Sequence, residues 1–299
     1  MTLILQQGLP AISLLNEEGI RVKTIGQAID EKLPLLNIGL LNLMPNKVET
    51  EVQILRLLDV TNFNIRIHLI NTHTYKSKNT APEYLKAFYK SYKEVDEKID
   101  GLIITGADVE FLDFEEVKYW NELQQIMDWA AREVNSTLFI CWASQAGVYH
   151  HYGIDKYKMN KKLSGIFRHE ILLNNTPIAY KLEAENLVPH SRYTELNYSE
   201  LKSIPKLEIV STSKEAGVYL MTSSDGEKVF ATGHSEYSAE TLKQEYLRDK
   251  KKGVNPSIPL NYFPDNNPAK TPKAIWRKHS KQLFSNWLSF YVNRQGKRI

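Results

Sequence analysis

Four short strand-like segments, separated by longer amphipathic stretches, constrain the first half of the chain more than any other feature. Residues 36–43 (LNIGLLNL), 101–105 (GLIIT) and 137–140 (TLFI) have the length and apolar content of buried strands, and 64–71 (NIRIHLIN) alternates apolar and polar residues as a strand does. Residues 48–60, 81–99 and 114–134 place apolar side chains at helical spacing, the first of them entered through Pro45-Asn46. Strands that alternate with helices pair in parallel, because each crossover needs a long connection, and the helices then cover both faces of the sheet. After Gly153 the pattern changes. Residues 162–173 and 176–191 carry strand-like stretches and turns, and 207–213, 217–222 and 228–232 read as short strands, the last two flanking the turn Ser224-Asp225-Gly226. A helix over 239–252 ends at Gly253, a proline-punctuated loop follows, and a closing helix spans 274–293. No Pro/Gly/Ser-rich linker separates two compositional halves, so residues 1–299 read as a single α/β domain with N- and C-terminal extensions.

Charge narrows the function. Thirty-eight basic residues stand against 35 acidic ones, a formal net charge of +3, which gives no strong pull toward nucleic acid or an anionic membrane. The basic cluster Arg248, Lys250, Lys251 and Lys252 reads as a solvated helix end. The chain starts without a secretory leader and contains no apolar run near the ~18 residues a membrane span requires, so a cytoplasmic protein is expected. HExxH, EF-hand, Walker and GxGxxG patterns are absent, and no metal or cofactor is expected. The single cysteine, Cys141, rules out an internal disulfide and a thiolate metal cluster. Such a cysteine is either a small buried hydrophobe or a nucleophile.

Its surroundings favour the nucleophile. In STLFICWASQAG (residues 136–147) an apolar strand runs straight into Cys141, and small residues follow at Ala143, Ser144, Ala146 and Gly147. A nucleophile on a sharp strand-to-helix turn needs small neighbours, and the helix N-terminus favours thiolate over thiol. The N–H of Trp142 is then one half of an oxyanion hole. In KVFATGHSEY (residues 228–237) a strand ends at Thr232-Gly233, and His234 and Glu236 follow two residues apart, spaced for a base and the acid that orients it. Together the three residues make a Cys-His-Glu triad. His150 and His151 read as packing residues, and His190, in the polar turn PHSRY, is an open candidate for lining a pocket.

At these residues the chain resembles the homoserine O-acyltransferases of methionine biosynthesis. The resemblance rests on LNLMPNKVETEVQILRLL (41–58), STLFICWASQA (136–146), KLSGIFRH (162–169), PHSRY (189–193), TGHSEY (232–237), LRDKKKG (247–253) and NYFPDNNP (261–268), and covers nearly the whole chain. It implies a flavodoxin-like, class I glutamine-amidotransferase-like α/β fold, with a mainly parallel sheet and helices on both faces. It also implies ping-pong transfer of an acetyl group from acetyl-coenzyme A, as co-substrate, to the hydroxyl of L-homoserine. Cys141 would carry the acyl group, with His234 as base and Glu236 as its partner. Lys162, Ser191 and Arg248 would contact substrate, Arg248 suiting the α-carboxylate through paired hydrogen bonds. Glu110 matches the position that separates acetyl from succinyl donors, glutamate accompanying acetyl. Two residues depart from the family pattern: Asp108 and Ser235 each stand where proline is usual, the first in the loop that holds Glu110, the second inside the triad turn. A succinyl-coenzyme A enzyme, a glutamine amidotransferase-like hydrolase (echoed by Gln145) and a non-catalytic binding protein on the same scaffold are the alternatives. The oligomeric state is left open, a homodimer among the options.

Overall fold

The computed structural model describes residues 2–59, 62–74 and 79–294. Its strands are β1 (Thr2–Leu5), β2 (Val22–Thr24), β3 (Leu35–Leu41), β4 (Asn64–Ile70), β5 (Gly101–Ile104), β6 (Ser136–Ile140), β7 (Tyr157–Ile171), β8 (Glu185–Glu195), β9 (Leu207–Ser213), β10 (Gly217–Ser223) and β11 (Lys228–Ala231). They form one sheet in the order β2-β1-β4-β3-β5-β6-β11-β10-β9-β7-β8. From β2 to β11 every neighbouring pair is parallel, and from β11 to β8 every pair is antiparallel. The helices are α1 (Ala11–Glu17), α2 (Lys47–Leu58), α3 (Pro82–Phe88), α4 (Trp120–Glu133), α5 (Trp142–Tyr152), α6 (Tyr198–Lys202), α7 (Thr241–Lys251) and α8 (Arg277–Asn286), the last running on into a π turn, Trp287–Val292.

Two apolar layers sandwich the parallel part. One packs α1, α2 and α8 on the sheet through Leu15, Ile54, Leu58, Leu283 and Trp287. The other packs α4 and α5 through Leu123, Ile126, Ala146 and Val148. The central parallel strands are buried on both faces, which is why β5 and β6 show continuous apolar character instead of alternation.

Several element boundaries differ from the sequence reading. β1, α1 and β2 were not anticipated. Residues 81–99 do not form one helix: α3 ends at Phe88, Tyr89 is extended, and Lys90 bridges to Ile70. The cause is tertiary. The Tyr89 hydroxyl donates to buried Glu51 at 2.5 Å and the Lys90 N–H to the Leu69 carbonyl at 3.0 Å, which hold the chain out of helix and against the end of β4. The reading over 114–134 resolves into a short 3-10 turn at Phe114–Glu116 followed by α4. The strand expected within 176–191 begins only at Glu185, after a 3-10 turn at Pro177–Ala179. The helix expected over 48–60 is α2, its last expected residue lying outside the described residues.

Candidate active site

β6 and β11 lie side by side and parallel, so both deliver their following loops to the same edge of the sheet. In an open parallel sheet, ligands bind outside the carboxyl ends of the strands. Cys141 follows β6 directly, and His234 comes three residues after β11. Neighbouring strands thus bring Cys141 and His234 together from positions far apart in sequence.

Cys141 has φ 54 and ψ −116, a conformation rare for any residue with a Cβ. Such strain costs about 1–3 kcal/mol and persists only where the surroundings enforce it. Here the Cys141 N–H donates to the Ala231 carbonyl at 2.7 Å, and tight packing does the rest. A Cβ on Gly106 would sit 3.3 Å from that of Cys141, and one on Gly147 would come within 2.8–2.9 Å of the rings of Phe139 and Phe230. Small residues at these places let the turn close. Trp142 opens α5, so its N–H is among the first-turn donors without an intrahelical acceptor.

His234 is buried and its Nδ1 lies 2.6 Å from Glu236 Oε1. The ring stacks on Tyr237 with centroids 4.0 Å apart. Burial disfavours its charge, but Cys141 and Glu236, through charge and hydrogen bonding, outweigh that and hold the imidazole well above its ordinary range. The His234 N–H donates to the Pro189 carbonyl at 2.8 Å, tying the loop to β8.

One small cavity is lined by Cys141, His234, Lys162, Ser191, Arg248 and Glu110 together. Glu236 stands behind His234. Lys162, from β7, contacts Glu245 at 3.4 Å and Asp249 at 3.1 Å, and these carboxylates outweigh burial to raise its pKa. Ser191, from β8, donates to Glu245, and Arg248 of α7 pairs with Asp249 at 3.0 Å. Glu110 accepts from the Tyr193 N–H at 3.0 Å; burial raises its pKa against that hydrogen bond and the charge of Lys162. Asp108 lines the same cavity and has not turned Glu110 away. Ser235, inside the triad turn, has its hydroxyl 2.6 Å from the Tyr219 hydroxyl, which in turn lies 3.0 Å from His279 Nε2.

His190 does not line the cavity. It is fully buried beneath Gly233, its Nε2 3.2 Å from that of His169. His150 pairs with Asp128 at 2.7 Å, and burial pushes His151 down to about 3. Gln145 is tied to Thr194 in both directions, at 3.1 and 2.8 Å. Among the described residues no group of three or more His, Cys, Asp or Glu side chains could hold a metal ion, and no helix is long and apolar enough to cross a membrane.

The sequence reading missed three residues at or beside this cavity. Glu245 accepts from Ser191 and, at 2.8 Å, from the Tyr237 hydroxyl; its signal was its spacing three before Arg248 on one helix face. Tyr237 lines the cavity as well. Lys47 is buried at the first position of α2, its ammonium donating to the Asn42 carbonyl, and burial, against the pull of Glu51, pushes its pKa down to about 8. A cation at a helix N-terminus opposes the dipole, and that misfit was legible.

A strained strand-to-helix cysteine with a carboxylate-backed histidine, at the carboxyl edge of a parallel sheet, defines a triad-bearing α/β protein of the class I glutamine amidotransferase fold. Solved structures agree on the fold: a glutamine amidotransferase from Thermotoga maritima matches with a TM-score of 0.56 at 15% identity, covering 87% of this chain and 98% of that one. One from Methylobacillus flagellatus gives 0.52 at 11% identity, covering 86% and 94%. The model of the homoserine O-succinyltransferase family matches residues 2–298, and the chain belongs to that family of acyltransferases. A protein from Bacillus cereus (strain AH187) named homoserine O-acetyltransferase is 46% identical over 99% of this chain and 98% of its own length. Another of that name, from Petrotoga mobilis, is 47% identical over 99% and 96%.

Proposed function

We propose that this enzyme transfers an acetyl group from acetyl-coenzyme A to the hydroxyl of L-homoserine through a thioester on Cys141. The observation that carries the reading is the convergence of Cys141 and His234, the latter backed by Glu236, with Lys162, Ser191, Arg248 and Glu110 on one cavity. In the first half-reaction the Cys141 thiolate attacks the donor carbonyl, and the Trp142 N–H helps hold the oxyanion. The carbon–sulfur bond to coenzyme A breaks, and the imidazolium of His234 protonates the departing thiolate. In the second, His234 takes the proton of the homoserine hydroxyl, whose oxygen attacks the acyl-cysteine, and Cys141 leaves as thiolate. Glu236 keeps the ring oriented and stabilises its charged form. Lys162, Ser191 and Arg248 bind the amino-acid end of homoserine, Arg248 facing the carboxylate.

Acetyl is favoured over succinyl because Glu110, if charged, repels the distal succinyl carboxylate and fills the space it needs. The names of the two relatives point the same way. The unbroken sheet from β2 to β8 supports one domain. The test is a comparison of acetyl- and succinyl-coenzyme A with homoserine as acceptor. Higher kcat/KM for acetyl-coenzyme A supports the reading, and a preference for succinyl-coenzyme A overturns the donor assignment.

A further inference from the structure

A second cavity adjoins the one at Cys141, and the two share Met44, Pro45 and Asp108 as common wall. Consecutive residues of one loop serve both: Val109 lines the second cavity, Glu110 the first. Their chemistry differs. Lys162, Ser191, Glu245 and Arg248 line only the Cys141 cavity, and this set of fixed charges suits a zwitterionic amino acid. The second cavity has a mixed wall, with Leu43, Leu85, Val109, Leu112 and Val117 beside the polar Asn42, Lys47, Asn71, Thr72 and Asn79. Asn71, Thr72 and Asn79 add amide and hydroxyl groups to its wall. At the rim stands Lys118, exposed and without an ion pair among the described residues.

We infer that this second cavity holds the pantetheine arm of the acyl-coenzyme A donor, with Asn71, Thr72 and Asn79 as polar partners for its amides and Lys118 near its phosphates. The inference rests on the acyl-transfer reading above. An arm of methylenes, a gem-dimethyl carbon and two amides alternates apolar and polar groups, and a wall that mixes apolar side chains with amide and hydroxyl partners suits it. The shared wall leads it to the sulfur of Cys141, and the charged cavity stays open to the acceptor.

Leu112→Trp crowds the cavity from its exposed rim, and Lys118→Glu reverses the charge at the mouth. Neither residue is in the triad, and both hydrogen bonds of Leu112 are made by its backbone, its N–H to the Val109 carbonyl and its carbonyl from Lys156 Nζ. Each variant is assayed with acetyl-coenzyme A and with acetyl-N-acetylcysteamine, which keeps the thioester and one amide but lacks the rest of the arm. Leu112→Trp is expected to lower kcat/KM for acetyl-coenzyme A by about tenfold or more, a 1.4 kcal/mol effect or larger, and to leave the short donor within about twofold. Lys118→Glu is expected to raise the KM for acetyl-coenzyme A alone. Equal losses with both donors, or an unchanged response to acetyl-coenzyme A, overturn the assignment of the cavity. A wild-type enzyme that uses neither donor would instead strike the acyl-transfer reading, so the two failures are distinguishable.

Discussion

Glu236→Gln removes a charge beside His234 and keeps a group able to hydrogen-bond there. The two side chains are buried and 2.6 Å apart. At an effective dielectric near 20, opposite unit charges at that distance attract by about 6 kcal/mol. The glutamine hydrogen bond recovers about 1–3 kcal/mol. A net loss of even ~2 kcal/mol to the imidazolium costs about thirtyfold in any step that forms it. The assay is acetyl transfer to homoserine, paired with NMR titration of the His234 ring. We expect kcat/KM to fall by at least about thirtyfold and the His234 pKa to drop from its raised value toward the ordinary histidine range. Stability carries the same signature. Because folding raises the pKa of His234, its protonation stabilises the native state fully below the unfolded value near 6.5, and that contribution fades as pH climbs through the raised native value. The stability gap between wild type and Glu236→Gln should therefore narrow as pH rises through that window. Wild-type kcat/KM with an unmoved His234 titration would refute the reasoning.

Glu110→Gly removes a carboxyl group and its bulk from the wall of the Cys141 cavity. A glutamate and a succinyl carboxylate at 4 Å would repel by about 4 kcal/mol at the same dielectric, so kcat/KM for succinyl-coenzyme A should rise relative to acetyl-coenzyme A, and an unmoved donor ratio counts against the role of Glu110. Gly147→Ala drives a methyl into the rings of Phe139 and Phe230, which should cost about 1–3 kcal/mol; a melting temperature equal to wild type would show that the turn is looser than described. Tyr219→Phe leaves buried Ser235 and His279 without their shared partner, at about 1–3 kcal/mol, and should lower kcat by slackening the triad turn; unchanged stability and kcat together would exclude that bracing role.

The parallel half of the sheet was legible because β3, β5 and β6 are short, largely apolar runs and β4 alternates apolar with polar residues, all set between amphipathic stretches. The Cys-His-Glu grouping was legible because a cysteine at a strand-to-helix turn and a His-x-Glu at a strand end occur together. What escaped was set by contacts distant in sequence. Tyr89 leaves helix for the sake of Glu51, 38 residues earlier, and no local propensity reports that. Lys162 is drawn into the site by Glu245 and Asp249 on α7, 83 and 87 residues later. His190 looked like a pocket residue because its neighbours are polar, yet the pleat of β8 turns it inward while Ser191 faces the cavity. β2 was missed because three half-exposed residues at a sheet edge leave too little pattern to read.

The central claim is a covalent intermediate on Cys141, and intact-protein mass spectrometry tests it most directly. Enzyme mixed with acetyl-coenzyme A and no homoserine should gain the mass of one acetyl group, lose it when homoserine is added, and gain nothing when Cys141 is replaced by Ala. Equal labelling of Cys141→Ala, or an adduct that homoserine does not discharge, would contradict the account.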